Sequence, residues 1–229
     1  MKLFSSLLAM LLLLALAPGA LAQEEEEEIE KDVLEVAVFF GGALPMGGIT
    51  DWSVEVQDIG TEKLGTEFGF DAGFDVGYFW TTNFVTGMNF TWYQFTIDGE
   101  GAEIESMKHR DFSTSAYAKY YFFGESNLAP YIKGHAGVDV LKYTTRVWDP
   151  NVGGYEYREL SYDPVFAFGL GGGLFYYTHD YGGVYAEVNY HTALSEDAGG
   201  SYEGGDFTFG ENASILDFHA GIKVFFGGE

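Results

Sequence analysis

Cysteine is absent from the chain. That excludes a disulfide framework and a lipoprotein anchor, although an exported polypeptide would meet an oxidising compartment. Basic residues are scarce as well, with 11 Lys and Arg against 35 Asp and Glu. Such an acidic surface argues against nucleic acid as a partner and against polybasic docking on anionic lipid. Proline occurs only 5 times, beside 32 Gly and an aromatic content of 18%. This mixture is too apolar for disorder and suits many strands. Long hydrophobic runs are missing too: beyond residue 22 no segment approaches the roughly 18 uninterrupted apolar residues of a membrane helix.

The first 22 residues, "MKLFSSLLAMLLLLALAPGALA", have one early Lys, a Leu-rich run, a Pro-Gly break and the small-x-small ending Ala20-Leu21-Ala22. That is the anatomy of a cleaved secretory signal. Next comes "QEEEEEIE", a like-charge block that repels itself and reads as a solvated, disordered tail over residues 23–31. The remainder, 32–226, reads as one all-β domain, a reasonable size for a single barrel.

The stretch "EFGFDAGFDVGYFW" (67–80) alternates strictly. One set of positions reads Glu, Gly, Asp, Gly, Asp, Gly, Phe and the other Phe, Phe, Ala, Phe, Val, Tyr, Trp, so an extended strand carries one polar and one greasy face. Alternation and turn signals predict eight strands, at about 32–43, 66–80, 84–97, 111–123, 130–142, 164–177, 183–194 and 213–226. The connections at 81–83, 124–129 and 178–182 are tight. Those at 44–65, 98–110, 143–163 and 195–212 are long, acidic and Gly-rich. An even strand count with short turns at one end and long loops at the other is how bacterial outer-membrane barrels are built.

Alternation does not say which face is inside, because a soluble lipocalin-like binding barrel has the same period. The glycines decide it. Gly69, Gly73, Gly77, Gly169, Gly171 and Gly173 share the polar faces; in water they would only weaken the strands. In the lumen of an eight-stranded barrel, just wide enough for packed side chains, small residues leave room for large ones. The expected architecture is therefore an eight-stranded antiparallel up-and-down transmembrane β-barrel, polar face inward. Its interior network is expected to comprise Glu35, Glu67, Asp71, Asp75, Lys119, Lys133, His135, Asp139, Glu187, His191, Asp217, His219 and Lys223. Opposite charges there should pair, because unpaired buried charge is expensive. His135 with Asp139, His191 with Glu187 and His219 with Asp217 each share a strand face. Aromatics near strand ends, among them Tyr78, Trp80, Trp92, Tyr120, Phe122, Tyr176 and Phe226, fit interface girdles.

Several stretches resemble the outer membrane protein β-barrel family that includes the transmembrane domain of OmpA and the opacity-type proteins. They are "KYYFFG" (119–124), "APYIKGHAGV" (129–138), "FAFGLGGGL" (166–174), "AEVNYH" (186–191) and "HAGIKVFF" (219–226). The resemblance is a pattern of residue types, so it speaks for fold more than for function. Many relatives end on an aromatic residue read by the assembly machinery, whereas here Gly227, Gly228 and Glu229 follow Phe226.

The expected role is structural or surface-interacting at the cell outer membrane, with a lumen that is closed or narrowly conducting. Outer-membrane lipid is the expected partner, and the long acidic loops the expected ground for a surface ligand or protein. The alternatives are the soluble lipocalin-like binder and a small-ion or small-solute pore, since carboxylate rings favour cations. No cofactor is expected, and no His-x-His or comparable spacing designates a metal site. An enzyme is not expected. A deacylase acting on lipid A would need Ser, His and acid together near the rim, and His191 with Ser195 is the nearest approach to that.

Overall fold

The computed structural model describes residues 33–50, 52–56, 60–98, 108–124, 126–149, 153–179, 181–196, 198–202, 205–208 and 212–227. The leader and the acidic tail lie outside them. Twelve strands follow one another: β1 (Leu34–Gly47), β2 (Trp52–Val56), β3 (Gly60–Phe79), β4 (Phe84–Asp98), β5 (Lys108–Tyr121), β6 (Leu128–Asp149), β7 (Gly154–Ser161), β8 (Val165–His179), β9 (Gly182–Ala193), β10 (Gly199–Tyr202), β11 (Gly205–Thr208) and β12 (Ala213–Phe226).

Eight of them form the wall. Every neighbouring pair in the order β1, β12, β9, β8, β6, β5, β4, β3 is antiparallel, and β3 pairs again with β1. The eight-stranded wall thus closes on itself and leaves none of its own strands as a free edge. Leu34 sits opposite Phe226 on one side and Tyr78 on the other, so the chain termini of the barrel lie at the end that carries the tight turns. The eight wall strands are those expected from the alternation. At the opposite end β1, β3, β5 and β6 overrun the expected bounds. β2 pairs with the start of β3, β7 with the far half of β6, and β10 with β11, so much of what reads as long loop continues as β-ladder.

The faces divide as the glycines required. Along β5 the odd positions from Asp111 to Tyr121 are buried and the even ones from Phe112 to Tyr120 are exposed. Phe40 and Leu170 are 74% and 73% exposed, while Glu35 and Lys223 are fully buried. Phe68, Phe70, Phe74, Ile132, Val138, Phe166, Phe168, Val184 and Ile222 all stand on the outside. This is the reverse of a soluble ligand-binding barrel, whose apolar face is its core. A continuous apolar exterior on this scale has to be covered by another apolar phase.

Glu67 is not in the lumen. Thr66 pairs with Ile97 and Gly69 with Phe95, so β3 carries one residue more than β4 over this step. That β-bulge changes the parity: Thr66 and Gly69 point inward, while Glu67 and Phe68 are both exposed. Period-two reading from the strand centre carries the wrong face across the bulge.

Interior glycines sit where a side chain would collide. A Cβ on Gly73 would meet the Phe90 carbonyl and the Phe39 ring, and one on Gly173 would meet the Ala186 carbonyl and the Tyr131 hydroxyl. Gly73→Val is expected to destabilise the barrel by about 1–3 kcal/mol through overpacking, measured by urea titration in lipid vesicles. A neutral or stabilising result would place Gly73 outside the packed lumen.

Candidate functional site in the barrel lumen

The lumen is layered. Buried apolar side chains occupy the turn end, where Phe39, Phe79, Tyr121, Tyr131, Phe175 and Phe225 belong to one cluster. A second cluster, with Ile49, Phe95, Leu141, Tyr143, Tyr162 and Ile215, occupies the loop end. The charged residues lie between them, delivered by the inward positions of the wall strands.

Nearer the turns, three carboxylates meet three ammonium groups. Lys119 donates to Glu35 at 2.7 Å and lies 3.6 Å from Asp75. Lys133 bridges Asp75 at 3.4 Å and Glu187 at 2.9 Å. Lys223 donates to the Tyr121 hydroxyl at 2.6 Å and stands 3.8 Å from Glu35. The remaining carboxylate oxygens are taken by neutral donors. Tyr121 donates to Glu35 at 2.6 Å, Asn89 to Asp75 at 2.6 Å and Tyr131 to Glu187 at 2.7 Å. Lys223 is also flanked by the rings of Tyr131 and Tyr185, each with its centroid 4.4 Å from Nζ, an arrangement that favours a desolvated cation. This half of the network is charge-balanced and well satisfied.

His219 is the hinge between the halves. Its Nδ1 lies 3.2 Å from both Asp71 and Asp217, and its Nε2 lies 3.4 Å from Glu187. The Phe39 ring stacks on it at 4.2 Å. Asp217 also accepts from Tyr93 at 3.1 Å and from Asn189 at 2.9 Å. Nearer the loops, His191 Nε2 faces Asp139 at 2.5 Å, and its Nδ1 lies 3.0 Å from His135 Nε2. Asp111 completes this group. In each of the sets Asp71, Asp217, His219 and Asp111, Asp139, His191, one ligand-type atom per residue lies within 4.8 Å of the others.

All the expected interior residues except Glu67 are therefore brought into one lumen, but their pairing differs from strand order. His191 meets Asp139 rather than Glu187, and His135 meets His191. Residues four apart on a strand stand about 13 Å from each other, so interior pairing runs across the barrel, whereas Asp217 and His219, two apart, can touch. Asp111, His109, Asn89 and Asn189 also belong to the buried polar set. Asp111 has the same parity as Tyr117 and Lys119, and that signal was sufficient to find it. The Ser195 hydroxyl accepts from the Ala213 amide at 3.0 Å, and the two His191 nitrogens face Asp139 and His135.

No family model and no curated relative matches the chain. Among solved structures, the chain is similar to the outer membrane protein OprG from Pseudomonas aeruginosa, at 11% identity over 89% of this chain and 100% of that one, with a TM-score of 0.57. The fold is that of an outer-membrane β-barrel. Neisserial surface protein A matches over 84% of this chain and 95% of that one, at 16% identity and a TM-score of 0.48. Identities this low speak for the barrel and not for activity. The outer-membrane-type barrel also accounts for the exposed aromatics. Trp80, Tyr120, Phe122, Tyr176, Tyr181 and Phe226 stand outward at the turn end, where Tyr78 meets Trp80 and Tyr120 meets Phe122 edge to face at 5.0 and 5.2 Å. At the far end Trp92 packs between Phe70 and Phe112.

Proposed function

We propose that this protein stands in the outer membrane as a closed barrel with a structural or surface-interacting role. The observation that carries this reading is the layered lumen: a fully buried ion-pair network held between two apolar clusters. Such an interior leaves little continuous path for water, and in its turn-end half the charges are spent on one another. Lipid is the partner of the exterior, and the signal-like leader accords with export. The tight turns and chain termini then face the periplasm, and the long-loop end faces outward, the place where binding on rigid barrels usually resides.

Planar-bilayer recording on the refolded mature chain is expected to give a flat current trace across the accessible voltage range. Discrete conductance steps would instead support the small-ion pore, the reading favoured by the surplus of carboxylates in the loop-end half. Heat-modifiable gel migration after detergent extraction is the companion test of membrane residence. A chain that stays monodisperse in plain buffer would overturn the proposal. Deleting residues from the 195–212 connection while the barrel still folds separates a surface-binding role from a purely structural one.

A further inference from the structure

The buried charges of the lumen are unevenly matched. Among the described residues, the buried carboxylates are Glu35, Asp71, Asp75, Asp111, Asp139, Glu187 and Asp217, and the buried ammonium groups are Lys119, Lys133 and Lys223. All three lysines serve the turn-end half. Among the described residues, the loop-end half holds Asp71, Asp217, Asp111 and Asp139 with imidazoles as the only basic side chains against them. The two sets there differ in how well they are satisfied. Around His219, Asp217 receives two further neutral donors and Nδ1 stands 3.2 Å from both Asp71 and Asp217, which leaves one Asp71 oxygen without a donor. Around His191, Asp111 is fully buried, no neutral or cationic donor reaches either of its carboxylate oxygens, and the group in hydrogen-bond contact with it is a second acid, Asp139. Asp139, also fully buried, has one oxygen against His191 and the other without a donor. A buried carboxylate with no donor is costly, and two of them aimed at the same few ångströms call for a shared proton or a cation between them.

From this we infer that Asp111, Asp139 and His191 form a binding site for a divalent transition-metal ion such as Zn²⁺. The donor set is two carboxylate oxygens and one imidazole nitrogen, which suits zinc and its first-row neighbours and disfavours the all-oxygen preference of Mg²⁺ and Ca²⁺. His191 Nε2 is the ligand nitrogen, since it already faces Asp139. Its Nδ1, 3.0 Å from His135 Nε2, then carries the proton and donates it to His135. Fixing the tautomer of a metal-bound imidazole through its second nitrogen is the usual arrangement around such ions. The three ligands come from β5, β6 and β9, and no short motif announces them because they converge only when the sheet closes. The ion would supply the positive charge that the lysines supply on the turn side, joining β9 to β5 and β6 across the lumen.

The test uses the mature chain without a histidine tag, refolded into detergent in the presence of ZnCl₂ and then dialysed, with the retained metal quantified. One equivalent of zinc is expected in the parent and in Asp71→Asn, and none in Asp111→Asn or Asp139→Asn. His135→Leu, which removes only the partner of the second nitrogen, is expected to weaken zinc binding by about 10–100-fold. A tenfold excess of Mg²⁺ or Ca²⁺ should not displace the zinc. Zinc retained by Asp111→Asn would place it on the acidic loops or tail and overturn the proposal. A metal-free parent would do the same, the paired carboxyls then holding a proton. Should the Asp variants fail to give heat-modifiable barrels, Co²⁺ on the parent decides. Strong visible absorption of low-coordinate cobalt supports the site, and the weak spectrum of solvated cobalt overturns it.

Discussion

Replacing Glu35 by Gln is expected to destabilise the folded barrel by about 3–5 kcal/mol, the cost of removing one partner from a buried ion pair. Glu35 is fully buried and lies at the centre of the turn-end network. Without its charge, Lys119 keeps Asp75 at 3.6 Å, but Lys223 loses the carboxylate it stands against at 3.8 Å. The Tyr121 hydroxyl and the surrounding ring faces remain to it, and these do not neutralise an ammonium group. The double variant Glu35→Gln with Lys223→Met should recover part of the loss, because an uncharged pair of similar volume avoids the desolvation that the ions incur. Urea titration in lipid vesicles, followed by Trp fluorescence, measures both. A loss below about 1 kcal/mol for Glu35→Gln, the range of exposed pairs, would mean that water reaches this network. The lumen would then not be closed.

Leu170→Arg tests the outside of the same wall. Leu170 lies in the middle of β8, 73% exposed, opposite Gly134 and Tyr190 on its two neighbours. In lipid the substitution is expected to cost about 2–4 kcal/mol, since a guanidinium at the midplane must leave water or drag water with it. The same change at an outward position close to the turns, for example Tyr120→Arg, should cost about 0–1 kcal/mol more than removal of the ring alone, because the charge then reaches the interface. In a barrel standing in water Leu170→Arg would be neutral or would improve solubility. The sign of the effect therefore reports which phase meets this face, independently of any conductance measurement.

Much of the wall was legible without coordinates because strand parity is a local property. In β9, Val184, Ala186, Val188 and Tyr190 face out, and Tyr185, Glu187, Asn189 and His191 face in, as a period of two dictates. Parity fails where the backbone inserts a residue. Nothing about Glu67 or Phe68 as residue types marks the bulge after Thr66, which shows only in the mismatch between β3 and β4. The ends of strands were equally opaque. β6 reaches Asp149 because β7 is there to pair with it, and pairing is not a feature of either segment alone.

The chain by itself determined the number of wall strands, the side of each that carries charge and, through its interior glycines, which side is enclosed, since steric room and face alternation are written residue by residue. Only the tertiary structure decided which charges meet. His191 finds Asp139 and Asp111, and Lys223 finds Glu35, across a lumen whose contacts come from closure of the sheet. Partners there are set by stagger between distant strands, and no spacing along the sequence encodes that stagger.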